Sequence, residues 1–117
     1  MSDGPVGDWE LYLNDMIGFA DKVIAYTEGF DQARFINSGL NYDATLRNLE
    51  LIGEAATHIP DDVRDANPAI PWRQVVATRN RLIHGDLGID NDVLWTIIRE
   101  DVPAPLDPLR LLVTKPR

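Results

Sequence analysis

Apolar residues recur along this chain at intervals of three and four, the spacing that gathers side chains on one face of an α-helix. The first run, Trp9, Leu13, Ile17, Ala20, Val23 or Ile24 and Tyr26, predicts an amphipathic helix from Asp8, a good N-cap residue, to about Thr27. Residues 30–38 predict a short second helix anchored by Phe35 and Ile36 and stopped by Gly39. A third helix, capped by Asn41 or Asp43, runs to His58 ahead of Pro60, with Tyr42, Leu46, Leu49, Ile52 or Gly53, and Ala56 on its buried side.

Asp61–Ala66 forms a single turn. Pro68 and Pro71 hold the residues before them out of helical geometry, so 67–71 reads as an extended connector. The next helix opens with Pro71 at its first position, where its missing N–H costs nothing. It puts Trp72, Val75, Val76 and Leu82 or Ile83 on a buried stripe, and Gly85 closes it in the left-handed conformation. Asp90 or Asn91 caps a helix carrying Val93, Leu94, Ile97 and Ile98, with Trp95 read as core. Pro103, Pro105 and Pro108 interrupt the chain beyond this helix, leaving a last short helix over 106–113. Residues 1–7 and 114–117 read as loose tails.

Together these elements predict an all-α, antiparallel bundle of four to five main helices in one domain spanning 1–117. At 117 residues the chain is long enough for one core and too short for two. It has no cysteine, which excludes disulfides, thiolate metal sites and a thiol nucleophile. No apolar run approaches a membrane span and the N-terminus lacks the regions of a signal peptide, so the cytoplasm is the expected compartment. The net charge of −8 disfavours non-specific nucleic-acid binding, so no DNA partner is expected. A specific RNA site needs local arginine, and nine of the eleven basic residues are Arg, with Arg73, Arg79 and Arg81 close in sequence.

Those arginines lead into the chemically densest stretch, Arg79-Asn80-Arg81-Leu82-Ile83-His84-Gly85-Asp86, which holds one of only two histidines. On a continuous helix His84 would occupy the last turn, where the negative end of the dipole favours imidazolium. Asn80 and His84 would share a face, while Arg79 and His84 would stand about 140° apart. Converging that last pair is easier with a second copy of the helix across a two-fold axis, so a homodimer is expected if they form one site. Two readings stay open at this point. Basic residues followed by Gly also make an ordinary helix C-terminus.

Four ordered blocks bear on that choice: residues 42–56, residues 68–73, the Arg79-to-Gly85 stretch, and Val93-Leu94-Trp95 running to Asp101-Val102-Pro103. Over about 41–105 the chain resembles the HepT-like branch of the HEPN superfamily, whose hallmark is an Arg, a polar residue and a His four to six positions on. Arg79, Asn80 and His84 match it, with four residues between Arg and His. The resemblance implies a HEPN-type dimeric bundle and an endoribonuclease that needs no metal or cofactor. It further implies the toxin of a type VII-like pair, silenced by an MNT-type nucleotidyltransferase antitoxin. His84 would then move protons, Arg79 would stabilise phosphate charge, and Asn80 would orient His84 or a phosphate oxygen by hydrogen bonding. In this family a Tyr commonly stands two residues after the His and is the residue adenylylated; here the position is Asp86, which has no hydroxyl.

Arg81, Arg73 and Arg47 are candidate RNA contacts. Arg47, Glu50 and Glu54 fall on one flank of the third helix, either as a solvated face or as a functional row. His58 reads as a helix-end residue. Trp95 has a second reading as a base-stacking ring. The chain has no Gly-rich phosphate loop, no HExxH and no nucleophile elbow, and two histidines are too few for an ordinary zinc site. Competing with the ribonuclease reading are a non-catalytic HEPN module that binds a nucleotide or a partner, and a plain helical scaffold.

Overall fold

The computed structural model describes residues 8–83 and 88–114. Its frame is a pair of long helices, α1 (Asp8–Thr27) and α3 (Gly39–Ala56). They run antiparallel: Tyr12 stacks on His58 at one end, with ring centroids 4.2 Å apart, and Asn41 Nδ2 donates to the Tyr26 carbonyl at the other, at 2.8 Å. The core face of α1 is Leu13, Met16, Ala20, Val23 and Thr27. The sequence stripe is therefore out of phase at two positions, since Ile17 and Tyr26 are only half-buried. Thr27 enters the core because its hydroxyl donates to the Val23 carbonyl at 2.8 Å, leaving no unpaired polar group.

Between them, α2 (Gln32–Ile36) is capped by Asp31, whose carboxylate accepts from the Arg34 amide at 2.8 Å, and buries Phe35. Gly39 does not stop this helix; it is the first residue of α3. Neither Asn41 nor Asp43 caps α3, because the chain has already turned helical and Asn41 is drawn to the end of α1. The buried side of α3 is Thr45, Asn48, Leu49, Ile52, Gly53, Ala55 and Ala56, with Tyr42 and Leu46 half-buried.

α4 (Asp61–Ala66) comes next, as expected. Its Arg64 folds back so that Nε donates to the Ile59 carbonyl (3.0 Å) and Nη2 to that of Ala56 (2.7 Å), tying α4 to the C-terminal end of α3. The connector is a turn rather than an extended strand: the Ile70 amide donates to the Asn67 carbonyl at 3.2 Å, with Pro68 in the second position. Closing that turn buries Ile70 and lets the Trp72 indole N–H reach the same carbonyl at 3.0 Å.

After α5 (Trp72–Val76) and α6 (Thr78–Leu82), α7 (Asn91–Thr96) is capped by Asp90, whose carboxylate accepts from the amides of Asp92 and Val93, both at 3.1 Å. α7 widens into a π-helical turn, Ile97–Asp101, before α8 (Leu106–Thr114) returns to pack on α1. Arg110 on α8 meets Asp21 of α1 at 2.5 Å. Leu94, Ile97, Ile98, Val102 and Leu109 complete the core. Trp95 is half-buried against the core, beside Phe35 (5.5 Å between centroids) and under the Arg99 guanidinium (5.5 Å). Among the described residues the fold is all-α, with one isolated bridge, Ile83 to Ile89, and no helix long and apolar enough to cross a membrane.

Candidate functional site

The Arg79 segment does not ride on one helix. α5 ends at Val76, Ala77 interrupts with φ −83° and ψ 2°, and α6 spans only five residues, Thr78–Leu82. Pro71 stands before the first helical residue, as N-cap, rather than at it. Ile83 is extended (φ −87°, ψ 124°), pairs with Ile89, and the Asp90 amide donates to the Leu82 carbonyl at 2.8 Å. The helix has already ended at Leu82, three positions ahead of the expected glycine stop. Burial explains the break. Trp72 and Thr78 are both core residues, yet six positions apart they would stand about 120° from each other on an unbroken helix. The interruption at Ala77 lets both face inward, and Leu82 rather than Ile83 takes the last core position.

His84, Gly85 and Asp86 lie outside the described residues. With Ile83 extended, the last-turn position expected for His84 and its 140° offset from Arg79 lose their helical premise.

Consecutive positions on α6 differ by about 100° in direction, and the three polar residues of the motif go to three places. Arg79 is exposed beside a shallow groove of about 180 Å³ lined by Glu50, Gly53, Glu54 and Thr57, and among the described residues no hydrogen bond or ion pair engages its side chain. Asn80 lines a broader groove of about 710 Å³ shared with Arg73, Trp72, Asp61 and Asp65. Arg81 turns inward, its Nη1 2.6 Å from Asp101 Oδ2 at the edge of an apolar cavity of about 40 Å³. Of the three arginines close in sequence, Arg73 lines the Asn80 groove, Arg79 lines the Glu50 groove and Arg81 pairs with Asp101.

Arg47, Glu50 and Glu54 are all exposed, as a solvated face requires, and two of them border the Arg79 groove. Close-packing puts the groove there. A Cβ on Gly53 would stand 3.4 Å from the Val75 carbonyl oxygen and 3.6 Å from that of Val76, ordinary contact distances that place the end of α5 directly over this stretch of α3. His58 lies just past the end of α3, with Nε2 3.5 Å from Glu54 Oε2. Tyr42 donates its phenol to Asn91 Oδ1 at 2.6 Å, tying α3 to the start of α7; burial, and then the nearby Asp43 carboxylate, push its pKa up. No group of three His, Asp or Glu side chains among the described residues could hold a metal ion.

Two residues of this site have no local signature. Asp101 is paired with an arginine on another element, and Glu50 becomes a neighbour of Arg79 through the packing of α5 and α6 on α3. Asp101 does fall in the block Asp101-Val102-Pro103, which marked it without giving it a role.

Comparison with known sequences decides what this frame belongs to. The model of the family described as "Ribonuclease HepT-like" matches residues 16–110. The chain belongs to the HepT-like family of the HEPN superfamily. A Methanocaldococcus jannaschii protein named "Putative RNase" is 43% identical over 96 residues, 82% of this chain and 88% of its own length. A "Probable ribonuclease HepT" of Thermococcus cleftensis is 36% identical over 93 residues, 80% and 84% of the two chains. A second M. jannaschii protein, also named "Putative RNase", is 34% identical over 99 residues, 85% of each. No solved structure gives a significant match. The HepT-like match runs from the middle of α1 into α8 and takes in Arg79, Asn80, position 84 and Asp101.

Proposed function

We propose that this chain is a metal-independent endoribonuclease acting through Arg79, Asn80 and His84, and the toxin of a HEPN/MNT toxin–antitoxin pair. The HepT-like match across the whole motif carries the reading. In the reaction the RNA 2′-hydroxyl gives up its proton and its oxygen attacks the adjacent phosphorus. The bond to the 5′-oxygen breaks, and that oxygen takes a proton as it leaves. His84 handles these transfers, and the Arg79 guanidinium, exposed and uncommitted among the described groups, meets the charge growing on the phosphate. Asn80 orients the imidazole or a phosphate oxygen, while Arg73 and Arg47 contribute weaker contacts to the strand. A homodimer brings a second copy of the motif to the same strand. The antitoxin is a nucleotidyltransferase, and Asp86 offers it no hydroxyl to adenylylate.

A second reading, a non-catalytic HEPN module that binds a nucleotide or a protein partner, draws on Glu50 and Glu54 beside Arg79, carboxylates that repel phosphate. One experiment separates the two: cleavage of a labelled RNA in chelator by the parental chain and by Arg79→Ala and His84→Ala. Cleavage lost in both variants supports the nuclease. Equal cleavage in all three, or none in the parent, overturns it.

A further inference from the structure

α6 cannot hold its own direction. It has five residues, and isolated helices of that length are not stable in water. Ala77 interrupts the run between α5 and α6, spanned by the Thr78 hydroxyl donating to the Gln74 carbonyl at 3.2 Å, so the grip of its other side chains helps set the rotation of α6 about its axis. Inward, Thr78 and Leu82 are buried, and Arg81 reaches Asp101.

That grip has an unusual setting. Asp101 is the last residue of the π-helical turn, and the Val102 amide donates to the Ile97 carbonyl five residues back at 2.9 Å. The widened turn returns the chain over Ile97 and brings Val102 into the core next to Asp101. Such π-turns recur at functional positions. Asp101 Oδ2 is buried and has no aligned hydrogen-bond donor, so its approach to Arg81 is a charge–charge contact. It lies at the rim of the cavity walled by Met16, Ala20, Leu49 and Ile97, where low polarity strengthens attraction between charges. Arg79 and Arg81 are two positions apart, about 200° around the helix, so holding one inward aims the other outward.

We propose that Asp101 is a positioning residue, which grips Arg81 inward and so fixes the rotation of α6 that presents Arg79 to the RNA phosphate. This rests on the reading of Arg79 given above. It also assigns Arg81 away from RNA: its charge serves the helix.

The test is Asp101→Asn, which keeps the shape and removes the charge, measured per folded molecule beside Asp101→Glu and Arg79→Ala. Displacement of a reacting group by about 1 Å can cost ~10²-fold in rate. Asp101→Asn should therefore lower kcat about 10- to 100-fold with KM little changed, and Asp101→Glu should recover most of it. Hydrogen exchange at the α6 amides should speed up about tenfold or more in Asp101→Asn, with α1 amides unaffected. A merely structural aspartate would lower the melting temperature and leave kcat per folded molecule unchanged. That result, with Arg79→Ala inactive, overturns the positioning role and leaves the nuclease standing. Parental cleavage by Arg79→Ala sinks both. Unaltered exchange across α6 in Asp101→Asn overturns the proposal whatever the rates, and needs no cleavage to be read.

Discussion

Arg79 and Arg81 leave the same five-residue helix on opposite sides, one toward a solvent groove bordered by Glu50 and Glu54, the other onto Asp101 at the edge of the core. Two residues of one type, two positions apart, therefore have different work. A description of the segment as a basic patch misses this, because a helix turns by about 200° over that step.

If His84 carries the proton transfers, His84→Ala should lose cleavage by ~10²–10⁴-fold, the usual worth of a placed acid or base. Its melting temperature should stay at the parental value. Gel assays of a labelled RNA together with circular-dichroism melts check both halves; parental cleavage in the variant refutes the role.

If His84 works at the reacting phosphate, the Asp86 carboxylate two residues on in the sequence should repel the incoming RNA. Asp86→Tyr, which restores the residue common in the family, should cleave RNA faster than the parental chain, and Asp86→Asn should lie between them. The gap should narrow as salt rises, since exposed charges are screened. Rates of the three forms at two ionic strengths test the ordering.

Tyr42 gives the fold a pH dependence. Its pKa is raised above 10.0 by burial first and Asp43 second, so the folded chain holds this proton more tightly than the unfolded one. That stability is fully present below the ordinary value of 10.0 and is lost as the pH climbs through the raised one. Tyr42→Phe should flatten this alkaline decline in melting temperature. At neutral pH it should cost about 0.5–1.5 kcal/mol for the lost bond to Asn91.

Gly53 tests the packing of α3 against α5. A methyl group there meets two carbonyl oxygens at 3.4 and 3.6 Å, close to ordinary contact, while alanine gains up to ~1 kcal/mol in helix propensity. Gly53→Ala should therefore be neutral to slightly stabilising. Gly53→Val should destabilise by about 1–3 kcal/mol, because backbone carbonyls cannot move aside for its added methyl groups. Urea unfolding of both variants settles the comparison.

Helices whose signals are local were legible in the order of residues alone. The span of α1, the short α4, the Asp90 cap and the start of α8 at Leu106 all come from spacing and capping chemistry that neighbours in sequence supply. The Arg79–His84 hallmark and its ordered flanking blocks also sufficed to place the chain in the HepT-like family. Packing took over wherever burial competed with local preference. Met16 and Thr27 displaced Ile17 and Tyr26 because the angle at which α3 crosses α1 sets the buried phase, and one residue of phase is beyond what alternation of apolar types can resolve. Trp72 and Thr78 both demanded the core, so the motif helix broke at Ala77 and ended at Leu82, short of the glycine marked as its stop. The partner of Arg81 could not be read at all, since an ion pair between separate elements leaves no periodic trace and exists only once a π-helical turn has carried Asp101 to the rim of the core.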